Sequence, residues 1–138
     1  MAFRCDDELI EQLRLRADNR AVLDLVESSS AHGDLGEVLF DYAKATGALR
    51  VVPLASTDFP ALVATPRDDD VIVAAATGMQ SLLLRVGDEP PDGARLGHEP
   101  VPEAGPGWWR VNPFDAEVSR ANTAIELQRW FGAARNQR

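Results

Sequence analysis

The stretch VIVAAATGMQSLLLRVG, residues 71–87, contains two continuous apolar runs, VIVAAA and SLLLRVG, joined by TGMQ. Each run has the length of a β-strand. Because the runs are continuous rather than alternating, we expect two central strands whose faces are both largely covered. The short connection favours antiparallel neighbours, since a parallel return needs a crossover of about a dozen residues. This stretch therefore predicts the central hairpin of an antiparallel sheet.

Further strands are predicted on both sides of this hairpin. ALRVVPLA (48–55) and PALVAT (60–65) precede it, and WWRVNPF (108–114) follows as a last short strand. Pro53 places the first strand at an edge or a bulge, because proline has no N–H to donate to a neighbouring strand. We expect a sheet of about four or five strands over residues 48–112.

Helical spacing is found before and after the sheet. Residues 6–46 contain apolar side chains that recur at helical intervals. Asp115 is placed to cap a C-terminal helix over residues 115–134, in which Glu126 and Arg129 are spaced to pair across one turn. We expect one α+β domain covering residues 1–138, with N-terminal helices, an antiparallel sheet and the C-terminal helix packed on the sheet.

The segment DEPPDGARLGHEPVPEAGPG, residues 88–107, contains five prolines and four glycines in 20 residues. This composition predicts a long loop or arm, too irregular to form a core element. Loops of this length are often functional or mobile, so we expect this one to contact a partner.

Two adjacent tryptophans follow this loop. Successive residues of a strand face opposite sides, so Trp108 and Trp109 cannot both enter the same core layer. We predict that Trp109 is the core residue, because it shares a face with Val111. Trp108 then needs another cover, which is the proline-rich loop, the C-terminal helix or another protein chain. Because tryptophan is enriched at interface hot spots, Trp108 is our candidate interface residue.

The composition restricts the partners and the compartment. With 14 basic and 22 acidic side chains, the net charge is -8, so nucleic acid would be repelled. No apolar run approaches the roughly 20 residues that cross a bilayer, and MAFRCDDELI lacks the apolar region of a signal peptide. Cys5 is the only cysteine, which excludes an internal disulfide. We expect a cytoplasmic protein that binds neither nucleic acid nor membrane.

Few residues point to catalysis or to metal binding. His32 and His98 are the only histidines; His32 is best interpreted as a loop residue, whereas His98 stands beside Glu99 in the long loop. No two Cys or His residues have the short spacing that zinc sites use, so we expect no metal and no cofactor. The run Asp68–Asp70 lacks EF-hand spacing and is interpreted as a turn.

Arginines supply the candidate ligand-binding residues. Arg85 follows three leucines in the predicted central hairpin, so its charge needs a carboxylate partner, an exit to water or a ligand. Pairing with a carboxylate is the simpler interpretation. The alternative is a pocket for a small anionic ligand, in which Arg85, Arg110 and His98 converge with a tryptophan.

Three functional hypotheses follow from these observations. The leading one is a non-enzymatic protein-interaction or regulatory domain, a homodimer or a complex with another protein, that uses residues 88–107 and the WWRV segment. The second is a small-molecule site or enzyme built on Arg85, His98 and Arg110. The third is an acidic, immunity-type protein that covers a basic partner. No catalytic residue is assigned, and the balance favours binding over catalysis.

Overall fold

A six-stranded antiparallel sheet lies between two pairs of helices in the computed structural model of the chain, which describes residues 7–27, 33–47, 49–53, 62–67, 69–77, 81–115 and 117–136. The helices are α1 (Asp7–Arg14), α2 (Ala17–Glu27), α3 (Gly33–Thr46) and α4 (Arg120–Asn136). The strands are β1 (Leu49–Pro53), β2 (Leu62–Pro66), β3 (Ala74–Thr77), β4 (Ser81–Arg85), β5 (His98–Pro100) and β6 (Trp108–Val111). The predicted α+β arrangement, with the C-terminal helix packed on the sheet, is confirmed.

The two faces of the sheet are covered by different helices. The α3/α4 core contains Leu35, Leu39, Ala43, Leu49, Ala64, Val73, Ala74, Ala76, Leu82, Leu84, Val86, Leu96, Val111, Leu127, Trp130, Phe131 and Ala134. The α1/α2 core contains Ile10, Leu13, Val22, Leu23, Val26, Val52, Val63, Ile72, Ala75, Leu83, Val101, Ala104 and Trp108. Because both faces are packed, the central strands have no solvent-facing side.

The predicted central hairpin is β3 and β4. In its register Ala74 lies opposite Leu84 and Ala76 opposite Leu82, and these four side chains belong to the α3/α4 core. Ala75 lies in the α1/α2 core instead, as the alternation of a strand requires. Helices α2 and α3 contact β3 from opposite faces. The run of alanines therefore lets two helices approach the same strand closely.

The strand order is β1-β2-β3-β4-β6-β5. The first four strands lie side by side in chain order and are antiparallel to their neighbours. Strand β6 pairs antiparallel with β4, and their register runs from Leu82 opposite Val111 to Arg85 opposite Trp108. Strand β1, which ends at Pro53, lies at one edge of the sheet, as its proline predicts.

The sheet has one strand more than the upper predicted number, and the additional strand lies inside the segment predicted as a loop. Residues His98–Pro100 form β5, which pairs antiparallel with β6 at the second edge of the sheet. All three side chains of β5 are exposed, so no apolar pattern marks it in the sequence. The segment also places Leu96, Val101 and Ala104 in the two cores, and it forms a 3-10 turn at Pro102–Ala104. Residues 96–104 of this segment are therefore part of the packed fold rather than of a free loop.

Trp108 and Trp109 point to opposite faces of the sheet, as predicted, but their burial differs from the prediction. Trp108 is 3% exposed and belongs to the α1/α2 core, where Val101 and Ala104 from the preceding segment are its neighbours in the same cluster. Trp109 is half-buried and packs against the α3/α4 core. The prediction that Trp109 is the more deeply buried of the pair was wrong, because helices cover both faces of the sheet.

The C-terminal helix begins later than predicted. Its first residue is Arg120, and the Ser119 hydroxyl accepts a hydrogen bond from the Asn122 backbone N–H at 3.2 Å, as an N-cap does. Asp115, the predicted cap, instead accepts from the Glu117 N–H at 3.0 Å and from the Gly97 N–H at 3.0 Å. Asp115 therefore joins the residues before α4 to the residues before β5.

Asn19 joins the N-terminal helices to the sheet. Its buried side-chain amide donates to the carbonyl oxygens of Leu13 at 2.8 Å and Asp70 at 2.7 Å, and its oxygen accepts from the Ile72 N–H at 2.8 Å. These three bonds satisfy a carbonyl in the last turn of α1 and two backbone groups in the segment that leads into β3. The corner between α1 and α2 is thereby fixed against the start of the central hairpin.

Replacing Asn19 by alanine should strongly destabilise the protein. The Asp70 carbonyl and the Ile72 N–H would lose their Asn19 partner, while the Leu13 carbonyl would keep only the Arg16 N–H at 3.3 Å. We expect the free energy of unfolding to fall by about 3 kcal/mol. Urea denaturation followed by tryptophan fluorescence measures this loss. The control Gln128→Ala changes an exposed residue of α4 and should alter stability by less than about 0.5 kcal/mol. Equal stabilities of the two variants would contradict this role for Asn19.

Candidate functional site

The three side chains predicted to share one ligand pocket lie on opposite faces of the sheet. Residues directly opposite each other in an antiparallel pair point to the same face. Arg85 is opposite Trp108 of the α1/α2 core, and Arg110 is two residues beyond Trp108 on the same strand. His98 is opposite Val111, which belongs to the α3/α4 core. The sheet therefore separates His98 from both arginines, and the three are not brought together in one cavity.

Arg110 and Trp108 have local partners. The Arg110 guanidinium forms an ion pair with Glu99 at 2.6 Å across β5 and β6. Both side chains are well exposed to water, so the pair contributes at most about 1 kcal/mol. The buried ring of Trp108 presents almost no area to a partner chain. A partner protein that binds residues 88–107 would therefore have to contact side chains other than Trp108.

His98 is part of an aromatic cluster with two tryptophans. Its ring centroid lies 5.9 Å from that of Trp109 and 5.6 Å from that of Trp130, and the two indoles are 6.4 Å apart. The His98 Nδ1 is 2.7 Å from the Leu96 carbonyl oxygen, and the Trp109 indole N–H donates to the Gly87 carbonyl at 2.8 Å. These tilted contacts are within the favourable range for aromatic pairs. The cluster packs the predicted loop against α4.

Glu126 holds the same segment through a buried carboxylate. The side chain is 5% exposed and accepts hydrogen bonds from the Arg95 N–H, from the Leu96 N–H at 2.9 Å and from the Trp130 indole at 3.0 Å. The sequence predicts instead that Glu126 pairs with Arg129 across one turn. The spacing of Glu126 and Trp130, four residues apart on one helix, is the only local signal for part of this arrangement.

Among the residues that the structure describes, two cavities lie beside helix α4. The α3–α4 cavity has a volume of about 510 Å³ and is lined by Val38, Asp41, Tyr42, Pro113, Phe114, Asp115, Val118, Arg120, Thr123, Ala124 and Leu127. The loop–α4 cavity has a volume of about 350 Å³ and is lined by Gly93, Arg95, Asn122, Ile125, Glu126 and Arg129. Ligand-binding sites in proteins commonly have volumes of about 300–1,000 Å³. Both cavities are therefore large enough for a small molecule.

Tyr42, in the wall of the α3–α4 cavity, is held by a ring contact and a hydrogen bond. Its ring stacks on Phe131 with centroids 4.4 Å apart, and its hydroxyl donates to the Ala124 carbonyl at 2.9 Å. Burial raises the pKa of Tyr42 above its ordinary value of about 10. Because the hydroxyl keeps its proton near neutral pH, Tyr42 links α3 to α4 and leaves its oxygen able to accept a hydrogen bond.

Other residues considered in the sequence have structural partners or lie outside the described residues. Asp69 pairs with Arg16 at 3.2 Å, and Asp70 pairs with Arg50. The Asp69 N–H donates to the Pro66 carbonyl at 3.2 Å in the connection between β2 and β3. Cys5, His32 and Asp68 lie outside the described residues. Within the described ranges, no three His, Cys, Asp or Glu side chains come together as a ligand set for a metal ion.

Comparisons with known protein families, characterised proteins and solved structures gave no significant match to this chain. Among the helices of the described ranges, none combines the length and the apolar character that crossing a membrane requires.

Sequence reasoning missed both cavities for a common reason. The α3–α4 cavity combines residues of α3 with residues of the segment 113–127, which lies far from α3 in the chain. The loop–α4 cavity depends on how residues 93–95 pass over one side of α4. The spacing of residues along the sequence does not show which distant segments pack together. The sequence alone therefore does not identify Tyr42 or Arg129 as a residue that lines a cavity.

Replacing Glu126 by glutamine should reveal its role in holding the loop. A glutamine amide presents one oxygen and one NH₂ group, so it cannot accept from all three N–H donors. We expect the free energy of unfolding to fall by about 2 kcal/mol, measured by urea denaturation. Glu117→Gln makes the same change at an exposed residue and should be nearly neutral. If both variants were as stable as the wild type, the inferred role of the Glu126 carboxylate would be incorrect.

The raised pKa of Tyr42 predicts a pH-dependent loss of stability. Since the folded state retains the proton more tightly, the contribution of Tyr42 is complete below pH 10 and declines as pH rises through its folded-state pKa. Tyr42 is the only tyrosine, so tyrosinate absorbance reports this group alone. The titration midpoint should be higher in the folded protein than in urea, and the stability advantage over Tyr42→Phe should shrink above pH 10. Coincident midpoints would exclude this behaviour.

Proposed function

We propose that the protein is a non-enzymatic binding domain whose ligand is a small amphipathic molecule held in the α3–α4 cavity. The observation that carries this proposal is a cavity of about 510 Å³ that is lined by both apolar and charged side chains. Small-molecule sites typically combine a mainly apolar wall with a few polar groups that fix the orientation of the ligand.

The apolar wall supports binding of an aromatic or aliphatic group. Val38, Val118 and Leu127 line the cavity between the two helices, and Phe114 is 41% exposed at its wall. An exposed phenylalanine beside a cavity can cover the apolar part of a ligand and thereby lose its contact with water. Each 100 Å² of apolar surface removed from water stabilises the complex by about 2.5 kcal/mol before the costs of binding.

The charged groups favour a ligand that carries a positive charge. Asp41, Asp115 and Arg120 line the cavity, which gives its wall one excess negative charge. The two Asp115 oxygens already accept backbone N–H groups, whereas Asp41 is exposed and available to a ligand. An ammonium group near Asp41, with an apolar body against Val118 and Leu127, is the arrangement we propose.

The protein-interaction hypothesis is supported by a different observation. Phe114 is 41% exposed and Ile125 is 51% exposed, and both are large apolar side chains on the α3/α4 side of the protein. Single exposed apolar residues are common on monomeric proteins, so this support is weaker than a cavity of ligand size. A homodimer, a complex with another protein and the acidic immunity-type role each stay predictions from the sequence.

Narrowing the cavity should abolish ligand binding without unfolding the protein. Ala124 lines the cavity with an exposed side chain, so Ala124→Leu fills space that the ligand needs. Ala121→Leu makes the same change on an exposed residue that does not line the cavity. In a thermal-shift titration, phenethylamine should stabilise the wild type and Ala121→Leu, whereas Ala124→Leu should bind it at least about tenfold more weakly.

A matched anion tests the charge assignment in the same experiment. Phenylacetate has a similar apolar body but a negative charge, so we expect it to stabilise the wild type less than phenethylamine does. Asp41→Asn should reduce the difference between the two compounds. The proposal would fail if neither compound bound, or if Ala124→Leu and Ala121→Leu bound them equally well.

A further inference from the structure

We propose a second binding site, separate from the α3–α4 cavity, in which Arg95 and Arg129 bind a small oxyanion in the loop–α4 cavity. The ligand class is a phosphate or carboxylate group on a small molecule. This site uses the opposite side of α4 and shares no lining residue with the α3–α4 cavity, so each proposal can fail without the other.

The geometry brings two guanidinium groups to one cavity from different segments. Asn122, Glu126 and Arg129 are spaced by four and three residues, so they form one stripe along α4. Gly93 and Arg95 approach this stripe from the segment that precedes β5. A Cβ atom at Gly93 would lie 3.7 Å from Nη1 of Arg129, which shows that this guanidinium lies directly over the segment.

The negative charge of Glu126 is directed into the protein. Its carboxylate accepts the N–H groups of Arg95 and Leu96 and the indole N–H of Trp130, so both oxygens are occupied by fixed donors. A buried carboxylate with three donors is satisfied without a guanidinium partner. Glu126 lines the cavity, yet its hydrogen-bonding capacity is used by the fold.

The two arginines are available to a ligand. None of the ion pairs found among the described residues involves Arg95 or Arg129, and both side chains are exposed. Two guanidinium forks can each donate paired hydrogen bonds to one oxyanion, and the Asn122 amide adds a further donor at the same cavity.

The surroundings suit an anion with a small organic part. The chain has a net charge of -8, whereas two arginines and the single carboxylate of Glu126 line this cavity and leave it with one excess positive charge. Ile125 lines the same cavity and is 51% exposed, which offers an apolar contact beside the two cations. A phosphate monoester and a carboxylic acid would both fit this combination.

The test is a titration with sodium phosphate and, separately, with sodium succinate, at an ionic strength held constant with sodium chloride. Backbone amide NMR resonances of residues 93–96 and 122–129 report binding at this cavity. We expect saturable shifts in the wild type, and a dissociation constant at least about tenfold higher in Arg95→Gln and in Arg129→Gln. Arg67→Gln removes the same charge at an exposed residue outside the cavity and should bind like the wild type.

Each outcome of this experiment decides between specific binding and general charge attraction. Saturation by phosphate alone, by succinate alone or by both supports the site and assigns the ligand to phosphates, carboxylates or either class. The proposal is overturned if neither anion gives saturable shifts, or if the three arginine variants weaken binding equally. Thermal unfolding without added anion checks that the variants are folded. We expect all three to be folded, because Arg67, Arg95 and Arg129 are exposed.

Discussion

Because helices cover both faces of the sheet, its central strands have to be apolar on both sides. The β3–β4 hairpin meets this requirement with alanines opposite leucines, so α2 and α3 can approach β3 from opposite directions. The same constraint explains why Trp108 and Trp109 are both packed, although they point to opposite faces. Two cores rather than one are built on a single chain, and each depends on its own pair of helices.

Polar side chains inside the protein connect these layers. Asn19 holds the backbone just before β3, and Glu126 holds the backbone just before β5. In both cases a helix side chain forms hydrogen bonds with backbone groups of an irregular segment, which have no partner strand to bond with. Helix α4 is held on two sides: its Glu126 binds the segment before β5, and its Ala124 carbonyl accepts a hydrogen bond from Tyr42 of α3. One of the two cavities lies beside each of these contacts.

The parts of the fold that the sequence predicts are those with a local pattern. The continuous runs of the central hairpin and Pro53 at the edge are read directly from neighbouring residues. Strand β5 has three exposed side chains and owes its pairing to backbone hydrogen bonds, so no side-chain pattern marks it. The separation of His98 from Arg110 follows from strand register, which a residue's own neighbours do not determine. The candidate sites need long-range packing in addition, and this is why their residues could not be selected in advance.

The two edges of the sheet have a consequence for how this protein behaves at high concentration. Edge strand β1 ends in Pro53 and edge strand β5 ends in Pro100, while β5 is only three residues long and presents the ion-paired Glu99. Short strands, prolines and charges at edges disfavour the addition of a further strand from another molecule. Both edges of the sheet therefore disfavour its growth into fibrils by the stacking of strands from further molecules.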